Sequence, residues 1–298
     1  MAARNLSNVM KYLVLGSSSF YGKSFLKFLH EKGEDAQGLA RPEFDLRKDF
    51  RLPQADVIVN FIAESLVAES WEDPERWLQT NIVLTNRLFE EIRKKEVSLY
   101  IHIGTPEVYG SNTSWIKERR DYLPTTPYAV SRASADMLLY TYWKAYRFPM
   151  IITRTANIYG PGQQPFRLIP KAFSLLGEGE KFPIHGTGKS QRSFIHVLDA
   201  CKALWILSRE GQVGETYHIS TQKTHSILEV VRMIIRILGK GEVEFKMDRL
   251  GKDHAYLLNS DKMRKLGWYD HIELEQGLKD YANNGNFVED SRRIPLQA

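Results

Sequence analysis

The stretch Tyr12–Gly33, "YLVLGSSSFYGKSFLKFLHEKG", decides the fold. "YLVL" is apolar throughout, as in a strand covered on both faces. From Phe20 onward the apolar positions Phe20, Phe25, Leu26, Phe28 and Leu29 give an amphipathic helix. Between strand and helix, Gly16-x-x-Ser19-x-x-Gly22 frames a tight turn. Glycines here let backbone N–H groups approach a pyrophosphate, which the positive end of the helix stabilises. Such glycines are also common structural punctuation, so the reading depends on the rest of the chain.

The rest of the chain continues the pattern. Strands are expected at 11–16, 36–40, 56–63, 99–105 and 150–156, with helices at about 20–32, 74–95 and 128–147. This alternation implies an α/β fold, a Rossmann-type doubly wound parallel sheet. Ligands of such sheets gather at the carboxyl ends of the strands. From about residue 161 the texture shifts to loops rich in Gly and Pro ("YGPGQQPFRLIP", "FPIHGTGKSQRS"), with short helices near 196–209 and 226–238. The expected division is a dinucleotide-binding part, 1–165 plus about 193–222, and a smaller mixed substrate-binding lobe, about 166–192 plus 223–298.

Composition narrows the function classes. The 298 residues are 43% hydrophobic and 26% charged, which is ordinary for a globular chain of this length. The single cysteine, Cys201, excludes an internal disulfide framework and a cysteine-rich zinc site. "MAARNLSNVM" contains no apolar signal-peptide core, so a reducing, cytoplasmic setting is expected. Net charge is +5, but the longest basic run is "RKK" at 93–95 and acids are interspersed, so no nucleic-acid partner is expected. No apolar run approaches the roughly 20 residues of a membrane helix. His185 and His196 have no partners at metal-ligand spacing, and no metal site is proposed.

Two places carry chemistry. The second strand ends "GLARPEFDL", where an acid would receive the ribose hydroxyls of NAD and an arginine would suit the 2′-phosphate of NADP. Arg41 leaves both cofactors open, since it also reads as a solvated surface residue. In "TTPYAVSRASADMLLYTYWKAY", Tyr128 and Arg132 are one helical turn apart, which brings a cation near the phenol. Unit charges about 4 Å apart interact by roughly 4 kcal/mol at an effective dielectric of 20. That is about three pKa units, enough to draw a tyrosine towards neutrality. Thr105, in "GTPEVYG" at a strand mouth, supplies a hydroxyl to hold the substrate oxygen while Tyr128 takes its proton.

Thr105, Tyr128 and Arg132 resemble the Ser/Thr-Tyr-Lys triad of the extended short-chain dehydrogenase/reductases. Within them the chain is most similar to nucleotide-sugar 4,6-dehydratases of the dTDP-glucose type. "TPEVYG" resembles that family's "TDEVYG", "TPYAVSRASADML" its "SPYSASKASSDHL", and "NIYGPGQQPFRLIP" its "NNYGP…EKLIP". "PIHGTGKSQRSFIHVLDACKAL" and "DKMRKLGW" extend the agreement towards the C-terminus.

The resemblance implies an NAD- or NADP-dependent enzyme acting on a nucleotide-diphosphate sugar. It implies cofactor-binding roles for Gly16, Ser18, Ser19, Phe20, Tyr21, Gly22, Arg41, Asp45, Leu46, Ala63, Tyr128 and Arg132, with the Asp45-Leu46 pair on adenine. It places Thr105, Glu107, Tyr128 and Arg132 in catalysis. Around sugar and nucleotide it places Glu64, Asn157, Arg167, Leu168, His185, Arg192 and His218. In the implied cycle Tyr128 removes the 4-hydroxyl proton as hydride leaves C4, Glu107 removes the C5 proton, and hydride returns to C6 as the 6-hydroxyl departs. The resemblance also implies a homodimer, with helices 74–95 and 128–147 pairing in a four-helix bundle. The aromatic stripe Tyr140, Tyr142, Trp143, Tyr146 reads as core or interface.

Four positions depart from the family pattern: Ser19 for glycine, Pro106 for the acid, Arg132 for lysine and Ala255 for an arginine. Serine is small enough to keep the turn and can itself reach a phosphate. Arginine keeps the charge but cannot release a proton. Proline has no ionisable group, so the 6-hydroxyl must be protonated by Glu107, by water, or not at all. Those cases correspond to a 4,6-dehydratase and, without protonation, to an epimerase or uronate decarboxylase. A non-catalytic sugar-nucleotide-binding relative is the remaining alternative; retention of Thr105, Glu107 and Tyr128 together argues against it.

Overall fold

The computed structural model describes residues 9–247 and 255–283. The chain opens with β1 (Lys11–Leu15), α1 (Phe20–Glu31), β2 (Asp35–Leu39) and β3 (Val57–Asn60). It continues through α2 (Pro74–Leu78), α3 (Thr85–Arg93), β4 (Leu99–Gly104), α4 (Pro127–Tyr146) and β5 (Met150–Thr155). Then come β6 (Asn157–Tyr159), α5 (Leu168–Gly177), β7 (Phe182–His185), β8 (Gln191–Arg192), β9 (Phe194–His196), α6 (Val197–Glu210) and β10 (Thr216–Ile219). Last are β11 (His225–Ser226), α7 (Ile227–Leu238), β12 (Val243–Lys246), α8 (Asp261–Arg264) and α9 (Leu274–Asn283).

Six strands form one parallel sheet in the order β10-β5-β4-β3-β1-β2. Strands β3 and β5 are buried along their whole length, whereas the edge strand β2 is not, as the apolar runs require. Phe25 and Leu29 of α1 pack with Leu204 and Leu207 of α6 in one core cluster. A second cluster joins Leu88 and Phe89 of α3 to Leu139 and Tyr142 of α4. A third gathers α5, α7 and α9 around Phe173, Val231 and Leu278.

Because β1 has β2 on one side and β3 on the other, the connections diverge above its carboxyl end. That divergence opens the crevice in which doubly wound sheets bind ligands. The β2–β3 connection, residues 40–56, contains no helix and walls the crevice.

Local signals account for the helices that carry the site. Thr126 caps α4, its side chain accepting from the Ala129 N–H, and Pro127 takes the first turn, where no N–H is needed. The helix expected over 74–95 is continuous but not uniform. Asp73 caps it, and Gln79–Leu84 winds as a π-helix between α2 and α3. Among the described residues no helix is long and apolar enough to cross a membrane, and no cluster could hold a metal.

Candidate active site

The glycine turn is built against the end of β2. Gly16 and Ser17 both donate N–H to the Leu39 carbonyl, at 2.8 and 3.2 Å. Gly16 has φ of 75°, which favours glycine, and a Cβ on Gly22 would lie 2.5 Å from the Gly16 carbonyl oxygen. Ser19 differs from expectation: its hydroxyl donates to Gly16 O at 2.7 Å and accepts from Gly22 N at 3.2 Å. It therefore closes the turn and caps α1 rather than reaching outward for a phosphate.

A cavity of about 630 Å³ follows, lined in part by Gly16, Ser18, Ser19, Arg41, Asp45, Leu46, Ala63 and Glu64. Asp45 is already engaged. Arg47 Nε and Nη2 donate to its carboxylate at 3.0 and 2.5 Å, and these bonds hold it well below the usual carboxylate range. Glu64, expected around the sugar, lines this cavity instead and accepts from Arg76 at 3.0 Å.

A second cavity, of about 430 Å³, shares Ser19, Phe61 and Ala63 with the first. Phe20, Tyr21, Thr105, Glu107, Tyr128 and Arg132 all line it. Thr105 follows β4 and caps a 3₁₀ turn, Pro106–Tyr109, its hydroxyl accepting from the Glu107 N–H at 3.3 Å. Pro106 stands where a missing N–H costs nothing and its fixed φ suits the turn. Arg154 donates to the Thr105 carbonyl at 3.2 Å, holding the turn from below. Ser70 Oγ accepts the Tyr128 N–H at 3.1 Å, and the Thr105 hydroxyl is a side-chain partner of Tyr128.

The direction of the Tyr128 pKa corrects the charge argument from sequence. Burial and then the Glu107 carboxylate push the phenol above its ordinary 10; Arg132, Thr105 and Arg167 only pull against them. Arg132 is buried, with one terminal nitrogen on the Ile103 carbonyl and on His102 Nε2. Its Nε and Nη1 have no partner among the described residues, so this cavity-lining guanidinium keeps donors for ribose hydroxyls. With the room for a pyrophosphate at the Gly16 turn, these donors fit a nicotinamide dinucleotide. Beneath them, Arg154 donates to Asp136 at 2.8 Å in a fully buried ion pair.

Of the residues expected around the substrate, Asn157, Arg167, Leu168 and Arg192 line the second cavity. His218 does not: it is buried in the core, with Nε2 3.0 Å from the Tyr109 hydroxyl and Nδ1 3.1 Å from Asn259 O. His185 lies on β7, with Nδ1 near Met247 O, and is absent from the lining. Gly22 sits inside α1 behind the turn. Sequence reasoning passed over Gln163 and Gln164 in the lining and the buried Asn81, whose amide bonds Ser131 and both backbone groups of Glu64. The signal for Asn81 was the amide in "LQTNIVLTN", the segment that winds as a π-helix. A further cleft of about 760 Å³ lies at the start of β10, lined by Lys117, Glu215 and Lys262 among others, away from these groups.

The chain is similar in sequence and fold to known proteins. A family model described as GDP-mannose 4,6 dehydratase matches residues 40–281. The low-salt glycan biosynthesis protein Agl12 of Haloferax volcanii is 34% identical, over 91% of this chain and 96% of its own. A dTDP-glucose 4,6-dehydratase of Xanthomonas campestris is 32% identical over 79% of this chain and 75% of its own. Among solved structures, DesIV, a dTDP-glucose 4,6-dehydratase from Streptomyces venezuelae with NAD bound, superposes with a TM-score of 0.86. It is 27% identical, covering 95% of this chain and 98% of DesIV.

Proposed function

The chain belongs to the GDP-mannose 4,6-dehydratase family, and from that premise we propose that it removes water from a nucleotide-diphosphate hexose by transient oxidation at C4. One observation carries this reading. Among the described residues lining the catalytic cavity, Glu107 is the one carboxylate, set beside Thr105 and Tyr128 and accompanied by Arg132, Arg167 and Arg192. Arginines suit a diphosphate, and a carboxylate at the reacting end suits proton transfer at carbon.

Thr105 holds the sugar 4-oxygen and Tyr128 takes its proton. A bound dinucleotide would supply the two-electron store for the hydride that leaves C4 and returns to C6. Glu107 removes the C5 proton, acidified by the neighbouring ketone, and delivers it to the 6-hydroxyl, which leaves as water. Pro106 cannot perform that delivery, so one group serves both steps. After hydride return, Glu107, reprotonated from water, protonates C5, and Tyr128 gives its proton to water. The proton taken from O4 and the proton added at C5 cancel. Incubation with UDP-, GDP-, dTDP- and CDP-hexoses tests the reading: a product lighter by one water supports it. Unchanged mass with inverted stereochemistry would establish an epimerase instead, and loss of carbon dioxide from a uronic acid a decarboxylase.

Of the two dinucleotides, the end of β2 favours NADP. Both acids lining the adenosine side, Asp45 and Glu64, are paired with Arg47 and Arg76, while Arg41 carries no ion pair with a described residue. A guanidinium outside any close ion pair, in one lining with Ser18, suits a 2′-phosphate. Tighter binding of NADPH than NADH, lost in Arg41→Ala, is the expected result; equal affinities unaffected by the variant would count against it.

Exposed Leu78, Val83, Val130 and Met137 lie on α2, α4 and the π-helical segment between α2 and α3, a face suited to a second copy of the chain. A homodimer through these helices completes the proposal.

A further inference from the structure

The cavity's buried cation is held from beneath by a residue that no motif assigns. Arg132 Nη2 donates to His102 Nε2 at 3.3 Å and to the Ile103 carbonyl. A guanidinium has donors and no acceptor. Nε2 of His102 must therefore present its lone pair, and the proton of the neutral ring sits on Nδ1. That nitrogen lies 3.0 Å from the Tyr100 hydroxyl, which also accepts from Asn60 Nδ2 at 3.0 Å. The other tautomer would point Nε2–H at Asp136 Oδ1, 3.6 Å away, and set two donors against each other across the Arg132 contact. A doubly protonated ring would face both Arg132 and Arg154 in a fully buried site. Burial and those two cations hold its pKa well below the ordinary value.

We propose that His102 is a positioning residue for Arg132. By fixing one terminal nitrogen it holds the guanidinium, whose Nε and Nη1 have no partner among the described residues, in the lining of the cavity that Tyr128 shares. Tyr100 and Asn60 keep His102 in the accepting tautomer. An arginine can thus replace a shorter cation without swinging freely in the cavity. The inference rests on Tyr128 as the proton acceptor. The charged groups facing Tyr128 are Glu107, Arg132 and Arg167; those facing His102 are Arg132, Arg154 and Asp136.

His102→Gln keeps an acceptor at this position and His102→Leu removes it. Two readouts on the full-length chain distinguish positioning from packing: dinucleotide affinity by fluorescence, and the pH profile of kcat. His102→Leu is expected to weaken NADH and NADPH binding about tenfold and to move the acidic limb of kcat to higher pH, because Arg132 no longer favours the phenolate. His102→Gln should stay within about twofold of the parent in affinity, with the limb in place. In an Arg132→Met background, His102→Leu should add nothing further, since no guanidinium remains to be held. Equal losses in both His102 variants, or full additivity with Arg132→Met, would overturn the assignment. If His102→Leu does not fold, Tyr100→Phe replaces it: a smaller shift of the limb in the same direction is expected, and an unmoved limb contradicts the proposal. The binding arm uses no sugar, so failure of the dehydratase reading leaves this test intact.

Discussion

Tyr128 carries the heaviest demand of any residue in the site. Burial and the Glu107 carboxylate both oppose its ionisation, and Arg132 is the strongest compensating charge. Those forces make it a poor base until positive charge enters the cavity, which an oxidised nicotinamide bound there would supply. Replacing Tyr128 by Phe should lower kcat by roughly 10²–10⁴-fold while dinucleotide binding survives. Steady-state kinetics alongside fluorescence titration checks both halves. At this scale the sequence was partly legible. Thr105, Glu107 and Tyr128, which line one cavity, could be grouped from the sequence because their motifs are contiguous and each lies next to a recognisable strand or helix end. The Tyr128 pKa was misjudged because spacing reports the nearby charge and not the burial. Ser19 was misjudged because a hydroxyl in a turn can bond inward or outward with the same residues around it. His102 was missed because one histidine in "LYIHIG" looks like any other strand residue until its neighbours across the sheet are known.

At the scale of elements, the site stands on β4, the turn after it and α4, joined by buried polar contacts. Arg154 of β5 bonds Asp136 of α4, the Thr105 carbonyl and the Tyr122 hydroxyl, and so locks three segments together. Asp136→Ala leaves that guanidinium buried without its counter-charge. It should cost about 3–5 kcal/mol of stability, measured by urea unfolding. A loss below about 1 kcal/mol, as for an exposed pair, would contradict the role given to this contact. Element boundaries were legible wherever capping chemistry marked them, as at Thr126-Pro127 and Asp73-Pro74. The π-helical turn at Gln79–Leu84 was not, because its apolar spacing looks like ordinary helix. Long-range pairs such as Arg154–Asp136 were not legible either, since they depend on sheet order. "MIITRTA" offered only a charged residue in an apolar run as a hint.

Over the whole molecule, buried histidines link folding to pH. His218 is pushed down to about 3 by burial first and then by Arg154, and His102 and His196 shift in the same direction. A depressed folded pKa means that the unfolded chain binds the proton more readily. Stability is therefore fully present above the ordinary histidine value of 6.5 and is lost as pH falls towards about 3. His218→Asn, which cannot titrate, should lose less thermal stability than the parent between about pH 7 and pH 5. Identical losses would remove His218 from the account. Association is tested at the exposed apolar face: Met137→Glu should convert a dimer to monomer in sedimentation, and an unchanged mass would place the contact elsewhere.

The cycle proposed for the whole enzyme moves one hydride from C4 to C6 of the same sugar, and that transfer can be followed directly. A nucleotide hexose carrying deuterium at C4 should yield a product lighter by one water, with the label in the C6 methyl group. Deuterium remaining at C4 with the water retained would contradict the account.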